Sequence, residues 1–237
     1  MRRILIILTL VGFLVSVSIE QARRTTSTRR TPMASKTAAT STAASVVPKG
    51  TVSGRTYTNK GLGFSITFPD TWLIPGDDFV AYMKKAGFDI SPKPPKAANP
   101  ADQKKVDAAF YRLKILLTAY RSMPGTEGNS VARIAVENVR LLNTNRPVKD
   151  AVDYVDLVRS QMSSVKMPAD QKFSDTQAEK LGENQFAYID TSDKSIKTRM
   201  YVTVRNGYAI LFSLNYSTDE DLETFRDVLA RTVFTNK

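Results

Sequence analysis

Apolar residues recur along the chain with two different periods, and the switches between them divide it into elements. Phe64, Ile66 and Phe68 alternate with Ser65 and Thr67, the period of two expected of a half-buried strand, and Pro69 ends its pairing. The same reading predicts strands at 111–121, where Leu113, Ile115 and Leu117 share a face, and at 131–142, where Ile134 and Val136 do. The loop 122–129 joins these two. Farther on, 173–181, 186–191, 196–205 and 208–216 are rich in β-branched and aromatic residues and read as a four-stranded meander. Asn206-Gly207 separates the last two strands, and both residues tolerate positive φ, so a type I′ hairpin is expected there. Within 208–216, Tyr208, Ile210, Phe212 and Leu214 alternate with Ala209 and Leu211. Both faces are therefore apolar, and this strand is expected to be central, with helices covering it on both sides.

Helical spacing is found in four places. Over 147–165, Val148, Val152, Val155, Val158, Met162 and Val165 fall at three- and four-residue intervals, and Pro147 suits a first turn. Ser217 or Thr218 is expected to cap a helix that opens on Asp219, Glu220 and Asp221 and buries Leu222, Phe225 and Leu229. The acidic triplet is thereby explained by the helix dipole before any metal is invoked. Asp77 is expected to cap a short helix to about Lys85, and Asn99-Pro100 to start another through Ala109. The predicted fold class is α+β, an antiparallel sheet of about six strands flanked by helices as an α/β/α sandwich.

The first fifty residues are of another kind. Met1-Arg2-Arg3 precedes an apolar run from Ile4 to Ile19, the charged and apolar regions of an export signal. As a helix this run would span roughly 24 Å, short of the ~30 Å hydrocarbon core of a bilayer. A cleaved signal peptide over 1–22 is expected, with an uncleaved anchor, and so membrane association through this segment, as the alternative. Residues 23–50 are dominated by Thr, Ser, Ala and Arg without an aromatic side chain, and read as a disordered linker. An organellar transit peptide is the competing reading of that composition. The domain proper is placed at 51–237, exported and facing away from the cytoplasm.

Charge and composition then narrow the function. Of a net charge of +11, the first fifty residues carry eight basic groups against one acidic, and the remainder holds 26 basic and 22 acidic residues, interspersed. Such mixing argues against a nucleic-acid partner, which calls for a concentrated basic face. The chain has no Cys and no His. Disulfides, Cys or His zinc sites, iron–sulfur clusters, histidine triads and a lipobox cysteine are all excluded.

An enzyme here would have to work with carboxylates, Ser/Lys, Tyr or Arg. The acidic candidates are Asp77-Asp78 and the pair Asp190 and Asp193 flanking a hairpin turn, where Asp is common for local hydrogen bonding. No GxSxG, phosphate-binding glycine loop, Rossmann fingerprint or EF-hand loop occurs, and Gly61-Leu62-Gly63 precedes a strand rather than a helix. No catalytic, cofactor-binding or metal residue is assigned. Calcium held by carboxylates and carbonyls at either Asp pair is the one cofactor alternative. The segment 87–109, with Ser91-Pro92-Lys93-Pro94-Pro95-Lys96, reads as a surface insertion or, with the loop 122–129, as a partner surface.

One stretch has a family look. Tyr57-Thr58-Asn59-Lys60-Gly61-Leu62-Gly63-Phe64-Ser65-Ile66-Thr67-Phe68-Pro69-Asp70-Thr71-Trp72 resembles the opening of PsbP-like and Mog1-like proteins. The far end agrees, with Asn206-Gly207-Tyr208 leading into a strand, an acidic helix start, Phe225 and a closing Thr232-Val233-Phe234. The resemblance implies an α/β/α sandwich. Through the photosystem relative it implies an extrinsic protein associated with calcium, chloride and manganese, and through the Mog1 relative a small-GTPase binder. Without histidine no His metal ligand is retained, and an exported chain does not meet a cytosolic GTPase. The expected function is a non-enzymatic extracytoplasmic binding or assembly module with a protein partner in a membrane or envelope complex. A carrier of a small ligand or metal ion in the sandwich cleft, and a carboxylate-dependent hydrolase, are the alternatives.

Overall fold

The computed structural model describes residues 47, 49–142, 144, 146–193 and 196–235. The expected signal or anchor at 1–22 and nearly all of the expected linker at 23–50 lie outside the described residues. No helix among the described residues is long and apolar enough to cross a membrane.

In chain order the elements are β1 (Thr51–Ser53), β2 (Thr56–Asn59), β3 (Phe64–Thr67), α1 (Asp77–Lys85), α2 (Pro100–Arg112), β4 (Lys114–Tyr120), β5 (Val131–Asn138), α3 (Ala151–Ser163), β6 (Lys172–Phe173), β7 (Gln177–Leu181), β8 (Asn184–Ser192), β9 (Lys197–Arg205), β10 (Tyr208–Tyr216), α4 (Asp219–Ala230) and β11 (Val233–Phe234). The class is α+β. Its main antiparallel sheet runs β4-β5-β10-β9-β8-β6, and β7 also pairs with β8, making seven strands. A second sheet, β1-β2-β3-β11, has four.

β10 is central, as its two apolar faces require, but helices alone do not cover it. One face, through Ala209 and Leu211, packs with α2 and α3 residues Val106, Ala109, Val155, Val158 and Met162. The other, through Ile210, Phe212 and Leu214, meets α4 together with Tyr57, Phe64 and Ile66 of the small sheet. Asn206 (φ 53) and Gly207 (φ 81) form the expected positive-φ turn between β9 and β10.

Several boundaries shift for local reasons. Gly76, not Asp77, occupies the N-cap of α1, without a side-chain cap bond, and Asp77 and Asp78 lie in its first turn. α2 continues past Ala109 and takes Tyr111 and Arg112 from the expected strand. Because Val106 and Ala109 belong to the core, this half of 87–109 is not a surface insertion. α3 starts after Asp150, whose side chain accepts from Asp153 N, so Pro147 precedes the helix. Tyr154 rather than the exposed Val152 faces inward. The expected strand 131–142 ends at Asn138 and gives way to a 3-10 turn, Val139–Leu141. Strand 173–181 is broken between β6 and β7, where Ser174 exchanges hydrogen bonds with Asp190.

Candidate functional site

One corner of the molecule gathers the segments the sequence left unexplained. Trp72, fully buried against Phe68 with ring centroids 5.6 Å apart, anchors the chain leaving the small sheet. Leu73 then bridges Tyr120 at the end of β4 with two backbone hydrogen bonds of 2.7 and 2.8 Å. This fixes the start of α1 against the edge strand. After α1 the chain crosses 86–99, held by Phe88 N to Met83 O (2.8 Å), Tyr120 Oη to Ile90 O (3.3 Å), Gln103 Nε2 to Pro95 O (2.9 Å) and Ala98 N to Lys166 O (2.9 Å). The loop 122–129 leaves from the same Tyr120 and is closed on itself by Asn129, whose amide bonds Ser122 in both directions.

This corner exposes apolar surface. Tyr82 is 66% exposed, Phe88 47% and Met123 56%. Lys84, Lys85, Lys93 and Lys96 are exposed on the same segments, Lys93 paired with Asp89 at 2.9 Å. That pairing holds the Asp89 carboxyl down at about 2.

The helix-covered face of the main sheet holds a row that turns from apolar to polar toward β4. The register places Ile189, Met200, Ser213, Arg133 and Thr118 side by side across β8, β9, β10, β5 and β4. Arg133 is 1% exposed, and among the described residues no acceptor reaches its Nε, Nη1 or Nη2. Burial pulls its pKa down to about 10, with the Tyr120 phenol opposing. Burial in turn raises the pKa of Tyr120, so that phenol is neutral at physiological pH and supplies no counter-charge. An unpaired buried charge is strongly unfavourable, and among the described residues Arg133 is the one buried basic side chain. Sequence reading missed it. The available signal was an Arg inside Val131-Ala132-Arg133-Ile134-Ala135-Val136, a strand too apolar on both sides to be an edge.

The opposite end of the same face is satisfied. Glu137, 7% exposed, accepts from Tyr154 Oη at 2.6 Å and Arg112 Nε at 2.8 Å. Burial and that carboxylate drive the Tyr154 pKa well up.

The acids singled out from the sequence do not converge. Asp190 forms a two-pronged pair with Arg199, both bonds 2.7 Å, and Arg199 lies 4.2 Å over the Tyr188 ring. Tyr201 Oη donates to Glu179 at 2.9 Å in the same network, and Arg226 bonds Glu179 from α4. Asp193 accepts from Ile196 N at 2.9 Å, a local turn bond. Asp77 meets Lys49 at 3.5 Å on the surface. Asp221 accepts from Ser130 Oγ at 2.7 Å and from the capping Thr218, whose hydroxyl takes the Asp221 N–H as expected. Among the described residues there is no cluster of three or more carboxylates fit to hold a metal ion. A surface groove of about 500 Å³ lies along β8 and β9, lined by Glu183, Gln185, Thr203, Arg205 and Phe234, away from the buried row.

No family model and no curated protein matches the chain. It is similar to the solution structure of cyanobacterial PsbP (CyanoP) from Synechocystis sp. PCC 6803, at 12% identity over 76% of this chain and 91% of that one, with a TM-score of 0.41. It is also similar to a crystal structure from Bacteroides thetaiotaomicron VPI-5482, at 12% identity over 78% of this chain and 49% of that one, with a TM-score of 0.39. The cyanobacterial protein is a PsbP, the family the opening and closing motifs resemble, and the likeness is of fold alone.

Proposed function

We propose that this chain is a non-enzymatic, extracytoplasmic binding or assembly module whose protein partner, in a membrane or envelope complex, docks on the corner formed by α1, residues 86–99 and the loop 122–129. The observation that carries this reading is the exposure of Tyr82, Phe88 and Met123 on segments that are all tied to Tyr120. Large exposed apolar groups with Lys84, Lys85, Lys93 and Lys96 on the same segments match the usual make-up of an interface, apolar groups beside charged ones. Leu73 and Ile90, on either side of α1, are hydrogen-bonded to Tyr120, so part of the surface is held in place before binding and less has to be ordered. The export-type leader read from the sequence puts that partner outside the cytoplasm.

The test is to recover tagged full-length protein from its native envelope fraction after mild cross-linking, beside a Tyr82→Ser/Phe88→Ser/Met123→Ser variant. A stoichiometric companion protein is expected with the parent chain and is lost with the variant, while the thermal midpoint of the purified variant stays within a few degrees of the parent. Recovery of the chain alone, or equal recovery of the companion by both, overturns the reading. Excising 87–109 is no substitute, because it removes Val106 and Ala109 from the core.

A further inference from the structure

We propose that Arg133 binds a small planar anion of charge −1, the class of short carboxylates and bicarbonate, in the sheet row that it shares with Ser213 and Thr118. This site is separate from the docking corner, since it lies inside the fold and takes a small ion rather than a protein.

The Arg133 guanidinium belongs to the face of β5 that also carries Ala135, within the core under α2 and α3. Its three nitrogens are buried and have no acceptor among the described residues. The acids of neighbouring elements are engaged elsewhere. Glu137 serves Tyr154 and Arg112. Asp102, in the first turn of α2, accepts from Asn99, Lys105 and Lys166 N. Asp107 takes the Gln103 amide, and Asp89 holds Lys93. Arg133 is a cation at any physiological pH, so no proton loss relieves it. Among the described residues no acid supplies its counter-charge, which leaves that role to a bound anion.

The shape of the row selects the ligand. The guanidinium fork matches two coplanar oxygens, which favours a carboxylate-like group over a spherical ion. One positive charge calls for one negative charge, since an uncompensated second would itself be buried. The side chains flanking Arg133 in the sheet are short, Thr118 on β4 and Ser213 on β10 across the ladder and Val131 and Ala135 along β5. Of these, Thr118 carries a hydroxyl able to donate to an oxyanion, whereas the Ser213 hydroxyl donates to Arg133 O at 3.5 Å. Thr118, next in the row and on the edge strand, is partly exposed, which puts the solvent side of the row at the sheet edge.

The experiment follows the thermal midpoint of the full-length protein at pH 8 and constant ionic strength. Sodium gluconate, too bulky for the row, is replaced stepwise by sodium formate, sodium bicarbonate or sodium chloride. Formate, bicarbonate or both are expected to raise the midpoint saturably, and which of them does so assigns the natural source. At a hundred times the dissociation constant the folding equilibrium shifts about a hundredfold, a rise of roughly 5–10 °C for a domain of this size. Chloride is expected to leave the midpoint unchanged, and Arg133→Met to abolish the rise. An equal rise with chloride, an equal rise in Arg133→Met, or no rise with either oxyanion overturns the proposal. Should Arg133→Met fail to fold, the line width of 13C-formate decides: broadening by the parent protein that bicarbonate reverses supports the site, and its absence overturns it.

Discussion

Replacing Tyr154 with Phe removes one hydroxyl from the core, and the cost follows from what that hydroxyl holds. Tyr154 Oη donates to Glu137 at 2.6 Å with both residues buried, and the bond ties α3 to β5. Hydrogen bonds to charged groups are worth about 1.5–3 kcal/mol, and here the acceptor stays desolvated when its donor goes. The other partner differs. Arg112 is 35% exposed, so water takes over much of its role and Arg112→Ala is expected to cost about 1 kcal/mol or less. With roughly 2–4 °C of midpoint per kcal/mol for a domain of this size, Tyr154→Phe lowers the midpoint by roughly 3–12 °C and Arg112→Ala by no more than about 4 °C. Urea denaturation at pH 7 measures both free energies. Adding Glu137→Gln closes a double-mutant cycle with Tyr154→Phe, in which a coupling above about 1 kcal/mol is expected. A coupling below about 0.5 kcal/mol, or a larger loss from Arg112→Ala than from Tyr154→Phe, refutes the assignment of Glu137 as a buried acceptor held chiefly by Tyr154.

Two further outcomes test the fold around the site. Gly54 and Gly182 both have left-handed backbones (φ 56 and 58), but a Cβ at Gly54 meets open space, whereas at Gly182 it falls 2.2 Å from the Ala230 carbonyl oxygen. Gly54→Ala is therefore expected to cost only the roughly 1–2 kcal/mol of the conformation itself, and Gly182→Ala clearly more, with equal urea midpoints counting against the close packing of that turn on the end of α4. Asp102 is held down to about 2, first by its hydrogen bond with Lys105 and then by Asn99 and the Lys166 N–H. Its folded pKa lies below its unfolded value near ~3.9, so its stabilisation is present above that pH and is lost as pH falls through about 2. The midpoint gap between the parent and Asp102→Asn should close over that window, and a gap that persists at pH 2 would mean the aspartate charge is not what holds 98–102 to Lys166.

Local rules recovered the elements that carry their own punctuation. Asn206-Gly207 needed only the two residues with positive φ to define the β9–β10 hairpin, and Thr218 with Asp221 defined the start of α4. What escaped depends on partners distant in sequence. Nothing local tells that Tyr111 and Arg112 prolong α2 instead of opening β4, because Arg112 is fixed by Glu137, 25 residues on. A register irregularity between Ile115 and Leu117 blurs the alternation that would have located β4. The second sheet was hidden because β1 is fully exposed and β11 has two residues, so neither shows a burial pattern. The corner was foreseen as two loops, 87–109 and 122–129, but that they meet at Tyr120 follows from the Leu73 bridge and the Ile90 hydrogen bond, which no periodicity encodes.

Arg133 and Glu137 occupy the same face of β5 and carry opposite charges, yet they do not neutralise each other. Four residues along a strand separate them by about 13 Å. Even at an effective dielectric constant of 20, unit charges at that distance attract by only about 1.3 kcal/mol, far less than a contact pair supplies. Ala135 stands between them, buried and apolar, so no chain of hydrogen bonds links the two ends. The face therefore has to solve two separate electrostatic problems. At the Glu137 end α2 and α3 each contribute a donor, which fixes both helices to the strand. At the Arg133 end the neighbour is Tyr120, whose hydroxyl is spent on Ile90 O and so holds the 86–99 backbone in place. A fold that needed only stability there would be served by an apolar side chain of similar volume, as replacements of buried ion pairs by packed apolar groups generally show. A guanidinium in that position makes physical sense when something negative completes it.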